Sequence, residues 1–400
     1  MDQIGIEKYD GVVDGQMLAD IQRAARSIYG LRVLHVNSVF QGGGVAGMLN
    51  SLIPLMNDVG VNANWSLLYA DPDVFEITKK LHNGIQGEDV ELTAQELDAY
   101  LSLNRTFAMY SPVIHDVVVV HDPQPLPMIR YRQRENPWVW RCHIDASNPN
   151  QHVLDALRPF IMRYDAAVVS SEAYKQSDWY LDTHIAPPAI DPFADLNREL
   201  SDDEISAKLA EYDIDQTKPI LTQVSRFDKW KDPEGVLEVF KRIRQDVDCS
   251  LVLLGNMAAD DPEGPAIFQS MTETAASMDQ VKLITQNDPL LVNALQRRAA
   301  VVFQLSKREG FGLTVSEALW KGTPVVATQV GGIPLQVKDS EMGFLVQPGN
   351  YDAAAERALT LLKDPSLCAA FAHAGREHVR KHFLIPRLLL DWLNVLKELS

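Results

Sequence analysis

Cysteine is scarce: Cys142, Cys249 and Cys368 are the only three in 400 residues. They are far apart and odd in number, which excludes a disulfide framework and a clustered cysteine metal site. A reducing cytoplasm is the compartment this implies. Long apolar runs are missing too. No stretch reaches the roughly 18 residues of a transmembrane helix, and the acidic first ten residues lack a secretion-signal layout. Positive charge is in short supply: 37 Lys and Arg stand against 54 Asp and Glu, a net charge of −17. Nucleic-acid binders draw affinity from basic surface, and anionic membranes attract basic segments. Neither partner is expected. No short-period repeat or low-complexity tract is evident.

What is present is a globular composition, 46% hydrophobic and 23% charged, in a chain long enough for two domains. Strand-like and helix-like stretches alternate. In the first half, residues 14–28 read as an amphipathic helix and 31–37 as a buried strand. Gly42-Gly43-Gly44 follows, then a helix whose apolar side carries Val45, Met48, Leu49, Leu52, Ile53, Leu55 and Met56. Further strands are expected at 64–68, 117–120, 138–145 and 165–171, with helices at 75–82 and 93–104. Residues 185–192 close this half. A polar connection at 195–204 ends in a capping pattern, Ser201 to Glu204. The second half repeats the alternation, with strands at 220–224, 250–255, 281–284, 300–305, 325–327 and 344–346. Helices are expected at 236–243, 290–298, from 313, at 352–363 and at 386–399. Such alternation predicts mostly parallel, doubly wound sheets.

Ligands of such sheets bind outside the carboxyl ends of the strands, so polar residues there are the candidates. Strand, triple glycine and helix form a phosphate-binding layout. The plain alternative is a tight turn that holds nothing, and the motif is not G-x-G-x-x-G. His121, Asp122 and Gln124 follow the run Val117–Val120, and His143 and Asp145 end the next strand. Arg226 and Lys231 follow residues 220–224. Arginine can chelate two phosphate oxygens and lysine adds a compact charge; otherwise the pair is a solvated basic loop. Glu309 lies in the glycine-rich loop Gly310-Phe311-Gly312-Leu313, before a helix that contains Glu317, with seven residues between the two acids. Glu317 alone would pass for a solvated helix charge, His143 for a core histidine, and Asp122 for a turn cap before Pro123.

Arg226 and Lys231, with the two glutamates at this spacing and Gly331-Gly332-Ile333-Pro334 after them, resemble the family-four retaining nucleotide-sugar glycosyltransferases. The likeness spans nearly the whole chain. A narrower resemblance, to the trehalose glycosyltransferring synthases, rests on His121–Pro125, Arg141–Asp145, Pro187–Pro192 and Gln223–Asp228. One position departs from the family pattern: Gly47 stands where a glutamate is common.

The resemblance implies an α/β GT-B fold, two Rossmann-like domains facing each other across a cleft. Residues 1–193 would form the acceptor-side domain and 194–382 the nucleotide-sugar domain, with the helix in 383–400 packing back on the first. It implies transfer of glucose from ADP-, UDP- or GDP-glucose to free glucose, giving α,α-trehalose reversibly. Arg226 and Lys231 would neutralise the diphosphate, Glu309 would bind the donor sugar, and Glu317 the ribose. Phe311, Gly312, Leu313 and Thr314 would bring backbone to the donor. Gly43 and Gly44 would let substrate and phosphates approach. His143 would lie near the reacting carbon, and Gly42, Asp122, Gln124 and Asp145 would line the acceptor site. No metal or other cofactor is required, and a homodimer is the expected oligomer. The rival readings are a retaining trehalose phosphorylase using inorganic phosphate, a family-four transferase with another acceptor, and a non-catalytic nucleotide-sugar binder.

Overall fold

The apolar runs of the first half become the centre of a six-stranded parallel sheet. The computed structural model describes residues 5–40, 43–69, 72–133, 135–255 and 264–400. These divide into one unit of Met1–Ala189 with Ile385–Ser400 and a second of Ile190–Leu384. The first unit thus ends short of the expected 193, and its closing helix starts slightly after 383.

In the first unit the strands are β1 (Arg32–Asn37), β2 (Asn62–Leu67), β3 (Val117–His121), β4 (Trp138–Arg141), β5 (Ala166–Val169) and β6 (Asp182–Ile185). Their order is β2-β1-β3-β4-β5-β6, all parallel. The central strands β3, β4 and β5 are buried throughout, as parallel strands covered on both faces must be. Each such Val removed from water contributes about 1.5–3 kcal/mol. Two expectations need correction here. The sixth strand was not foreseen, because Asp182-Thr183-His184-Ile185 is a half-exposed, polar edge with no apolar run. The strand expected over 138–145 stops at Arg141, and His143 and Asp145 lie in the loop beyond it.

The helix Gly44–Asp58 starts from Gly43 at φ 101°, a conformation that favours glycine. The C-terminal helix Ile385–Leu399 belongs to the first unit. It buries Leu388, Leu389, Trp392, Leu393 and Leu396 against the helices Gly15–Ser27 and Gly44–Asp58. Arg387 fastens it, donating from Nη2 to the carbonyls of Pro187 at 2.7 Å and Pro188 at 3.1 Å.

The second unit has strands β7 (Ile220–Val224), β8 (Ser250–Gly255), β9 (Val281–Thr285), β10 (Val301–Gln304), β11 (Val325–Thr328) and β12 (Phe344–Val346). Their order is β12-β11-β10-β7-β8-β9, again parallel. This is the doubly wound order in which the first and fourth strands are neighbours. The helix Gly264–Ala275 was not expected from the sequence. The capping box at Ser201 forms as expected, with Glu204 reaching back to the Ser201 backbone. Among the described residues, no helix is long and apolar enough to cross a membrane.

Candidate active site

In the second sheet the order reverses between β7 and β10, so their carboxyl ends part and leave room for a ligand. The residues following both strands meet there. After β7 the chain makes a turn over Lys229–Lys231 and enters the helix Pro233–Ile243 through Asp232 at φ 49°. Two bonds hold this left-handed residue: Tyr351 donates to Asp232 Oδ2 at 2.8 Å, and Lys307 Nζ pairs with Oδ1 at 2.7 Å. Gln223 Nε2 donates to the Lys231 carbonyl at 2.9 Å. The backbone is thereby set so that Lys231 Nζ reaches Glu309 Oε2 at 2.6 Å. The same oxygen accepts from Gln304 Nε2 at 3.0 Å and Ser306 Oγ at 3.2 Å. Glu309 is only 6% exposed. Arg226 is about one-third exposed, with Nη2 at 3.7 Å from Asp228 Oδ2.

The loop from Glu309 to the helix Leu313–Trp320 is held from beneath. Phe311 is buried, its ring 5.5 Å from that of Phe383. Gln336 donates to the Phe311 carbonyl and accepts from Ser316 N at 3.0 Å and Ser316 Oγ at 2.6 Å. Gly312 caps the helix at φ 81° with no side-chain cap, leaving the first N–H groups, at Leu313 and Thr314, to an outside acceptor. A Cβ at Gly332 would lie 2.7 Å from Phe311 Cδ2 and 2.9 Å from its Cα. The Gly331-Gly332 pair therefore lets this loop pack closely.

Glu317 is 7% exposed and is not a solvated helix charge. Burial raises its carboxyl, and the Lys321 ammonium opposes that rise. Lys321 is lowered by burial, against the pull of Glu317. Its Nζ donates to Asn197 Oδ1 at 3.0 Å and Gln296 Oε1 at 2.6 Å. Sequence reasoning missed Lys321, Asn197, Gln296 and Gln336, since none stands out without its partner.

In the first unit the polar residues gather past β3 and β4. Asp122 takes φ 61°, which turns its carboxylate to accept from the His143 backbone at 2.7 Å. Burial lifts this carboxyl to about 7, with the His143 N–H and the Arg141 guanidinium acting against the rise. Arg141 is fully buried, with Nη2 donating to Ser170 Oγ at 3.1 Å and the Ala186 carbonyl at 2.8 Å. His143 is bonded to a second imidazole: Nε2 lies 2.9 Å from His121 Nδ1. Asp145 closes a local turn, accepting from Ser147 N at 2.9 Å. Gln124 accepts at its backbone carbonyl from Asn104 at 3.0 Å, and its Oε1 is buried without a partner. Gly43 and Gly44 are exposed at the start of their helix. Gly42 lies outside the described residues. A Cβ at Gly47 would meet open space. No group of three or more His, Cys, Asp or Glu among the described residues could hold a metal ion.

Two Rossmann-like sheets, with a lysine–glutamate pair and a buried glutamate helix at the second switch point, define a GT-B glycosyltransferase, an enzyme that moves hexosyl groups. A family model for the N-terminal domain of trehalose synthase matches residues 35–176. A second, for group 1 glycosyl transferases, matches residues 204–378. The chain is 40% identical to the trehalose synthase of Pyrococcus horikoshii, over 99% of this chain and 96% of that one. A trehalose phosphorylase of Pleurotus pulmonarius is 28% identical over 86% of this chain and 54% of its own. A solved E. coli structure, described as trehalose-6-phosphate bound with UDP-2-fluoro glucose, has a TM-score of 0.73. At 17% identity over 92% of this chain and 99% of that chain, it is a likeness of fold. The chain belongs to the trehalose synthase family of glycosyltransferases.

Proposed function

We propose that the enzyme moves glucose from a nucleoside-diphosphate glucose to free glucose, forming α,α-trehalose with the donor's α-configuration kept, and that the reaction runs in both directions. The observation that carries this reading is the meeting of Lys231 and Glu309 at 2.6 Å beside a glycine-started helix. A cation, a sugar-binding carboxylate and free backbone N–H groups converge on one sheet edge, as a diphosphate-linked sugar demands.

Arg226 and Lys231 stabilise the diphosphate as it leaves, with the N–H groups after Gly312 sharing its charge. Glu317 takes the ribose hydroxyls, as a carboxylate suits a vicinal diol. Glu309 orients the glucose. Its Oε2 is engaged by Lys231, Gln304 and Ser306, which damps its nucleophilicity and supports a positioning role over attack. Retention then follows from a front-face route. The bond from the anomeric carbon to phosphate breaks, the acceptor oxygen bonds on the same face, and the acceptor's hydroxyl proton passes to the departing phosphate. On the first unit, Asp122 and His143 offer polar groups suited to a sugar hydroxyl. The chemistry needs no metal.

The deciding experiment incubates purified protein with trehalose and ADP, UDP, GDP or inorganic phosphate, and identifies the products. Nucleoside-diphosphate glucose and glucose are expected. Turnover with phosphate alone would replace this reading with the phosphorylase one.

A further inference from the structure

Three histidines of the first unit form a continuous chain across three adjacent strands. His35 lies within β1, His121 ends β3, and His143 follows β4, and these strands are neighbours in that order. His35 Nδ1 is 3.0 Å from His121 Nε2, and His121 Nδ1 is 2.9 Å from His143 Nε2. The ring centroids are 5.3 Å apart in both pairs, the separation expected for rings joined end to end through their nitrogens. His35 and His121 are fully buried, and His143 is half-buried, so the chain runs from the core outward. The paired nitrogens face each other, so the cluster is not a set of ligands around one ion.

All three rings are neutral. Burial pushes His35 to about 3, and burial with the nearby Arg141 charge pushes His121 and His143 well below the usual histidine range. Asp122, the residue after His121, accepts from the His143 backbone rather than from an imidazole in the chain.

A neutral imidazole has one N–H and one lone pair. Two links among three such rings can be satisfied only if every ring points the same way. Either all three carry the proton on Nδ1, or all three carry it on Nε2. The inner end of the chain chooses. His35 Nε2 is buried with no hydrogen-bond partner. What lies against His35 is the Trp392 ring, edge-on with centroids 5.8 Å apart, whose own Nε1 also lacks a partner. An N–H there would have only an aromatic surface, a weak acceptor, and orphaned buried N–H groups are rare. A bare nitrogen at that end puts the proton on Nδ1 throughout.

We propose that His35 and His121 are positioning residues that fix His143 in the Nδ1-protonated tautomer, so that its outer ring nitrogen donates a hydrogen bond to a substrate oxygen. This rests on the placement of His143 at the sugar site. It makes His143 a neutral donor and excludes it as a base. The acceptor is a hydroxyl or phosphoryl oxygen, since either offers the lone pair such a donor needs.

The test is a two-bond proton–nitrogen correlation spectrum of the full chain with 15N-labelled histidine, the His143 signals being those lost in His143→Gln. The expected result is Nδ1-protonated rings at all three positions; an Nε2-protonated His143 overturns the proposal. Two variants extend the test. His35→Leu removes the inner donor, whereas His35→Asn keeps an N–H close to the original Nδ1. The Leu variant should show mixed tautomers at His143 and lose about tenfold in kcat, the usual scale for outer partners that orient an imidazole. The Asn variant should recover both. Equal behaviour of the two variants, or an unmoved His143 signature in the Leu variant, counts against the idea. Should either variant fail to fold, the wild-type spectrum decides. The spectrum needs no turnover, so a protein without trehalose activity would sink the functional reading and leave the tautomer result standing.

Discussion

Removing Lys231 is the perturbation that most directly probes the second-unit site. Its ammonium lies 2.6 Å from Glu309 Oε2, with the side chains 17% and 8% exposed. Exposed ion pairs contribute about 0–1 kcal/mol, whereas breaking a buried pair destabilises by about 3–5 kcal/mol, because the remaining charge is stranded. This pair is nearly buried, but Gln304 and Ser306 still donate to the stranded carboxylate. Lys231→Met should therefore destabilise the second unit by about 2–3 kcal/mol, or about 5–10 °C in Tm for a domain of this size. Glu309→Gln alone should destabilise less, and the double variant, which strands no charge, should be more stable than Lys231→Met. The coupling in the cycle is then about 2 kcal/mol. Urea unfolding of the four proteins reads all of this. Additive single effects, within about 0.5 kcal/mol, would refute the pairing and with it the part of Lys231 in damping the nucleophilicity of Glu309.

Gly332→Ala places a Cβ 2.9 Å from the Phe311 backbone; about 1–3 kcal/mol of overpacking should lower Tm and raise the KM for the nucleotide substrate, and an unchanged KM contradicts the loop's role. Asp122, with its carboxyl lifted to about 7, holds its proton in the native state after the unfolded chain has lost it near 4. Its contribution is therefore full below about pH 4 and lost as pH rises to 7. Relative to wild type, Asp122→Asn should gain about 2 kcal/mol between pH 5 and pH 8 in urea titrations, and parallel pH profiles would contradict the burial of that carboxyl. Incubation with EDTA followed by gel filtration should leave turnover of trehalose with nucleoside diphosphate unchanged; a loss restored by a divalent cation contradicts the metal-free reading.

Much of the fold was legible because it is written in local periodicity. Val117–Val120 reads as a buried strand since both faces are covered, and the Ser201–Glu204 box announces its helix. The acids at Glu309 and Glu317 were visible through their spacing and the glycines between them. The edge strand β6 escaped because it has little to bury, and His35 escaped as a site residue because it looked like part of its strand.

The sequence by itself determined the alternation of strands and helices, the glycine-rich turns and which residues would lie at the carboxyl ends of strands, all properties of near neighbours along the chain. The order of the strands was a matter for the tertiary structure alone, and that order brings Lys231 to Glu309 across 78 positions and His35 to His121 across 86. The same holds for charge and protonation. Glu317 became a buried acid and the three histidines a neutral chain only when packing removed their water, because desolvation depends on what surrounds a group and not on its sequence neighbours.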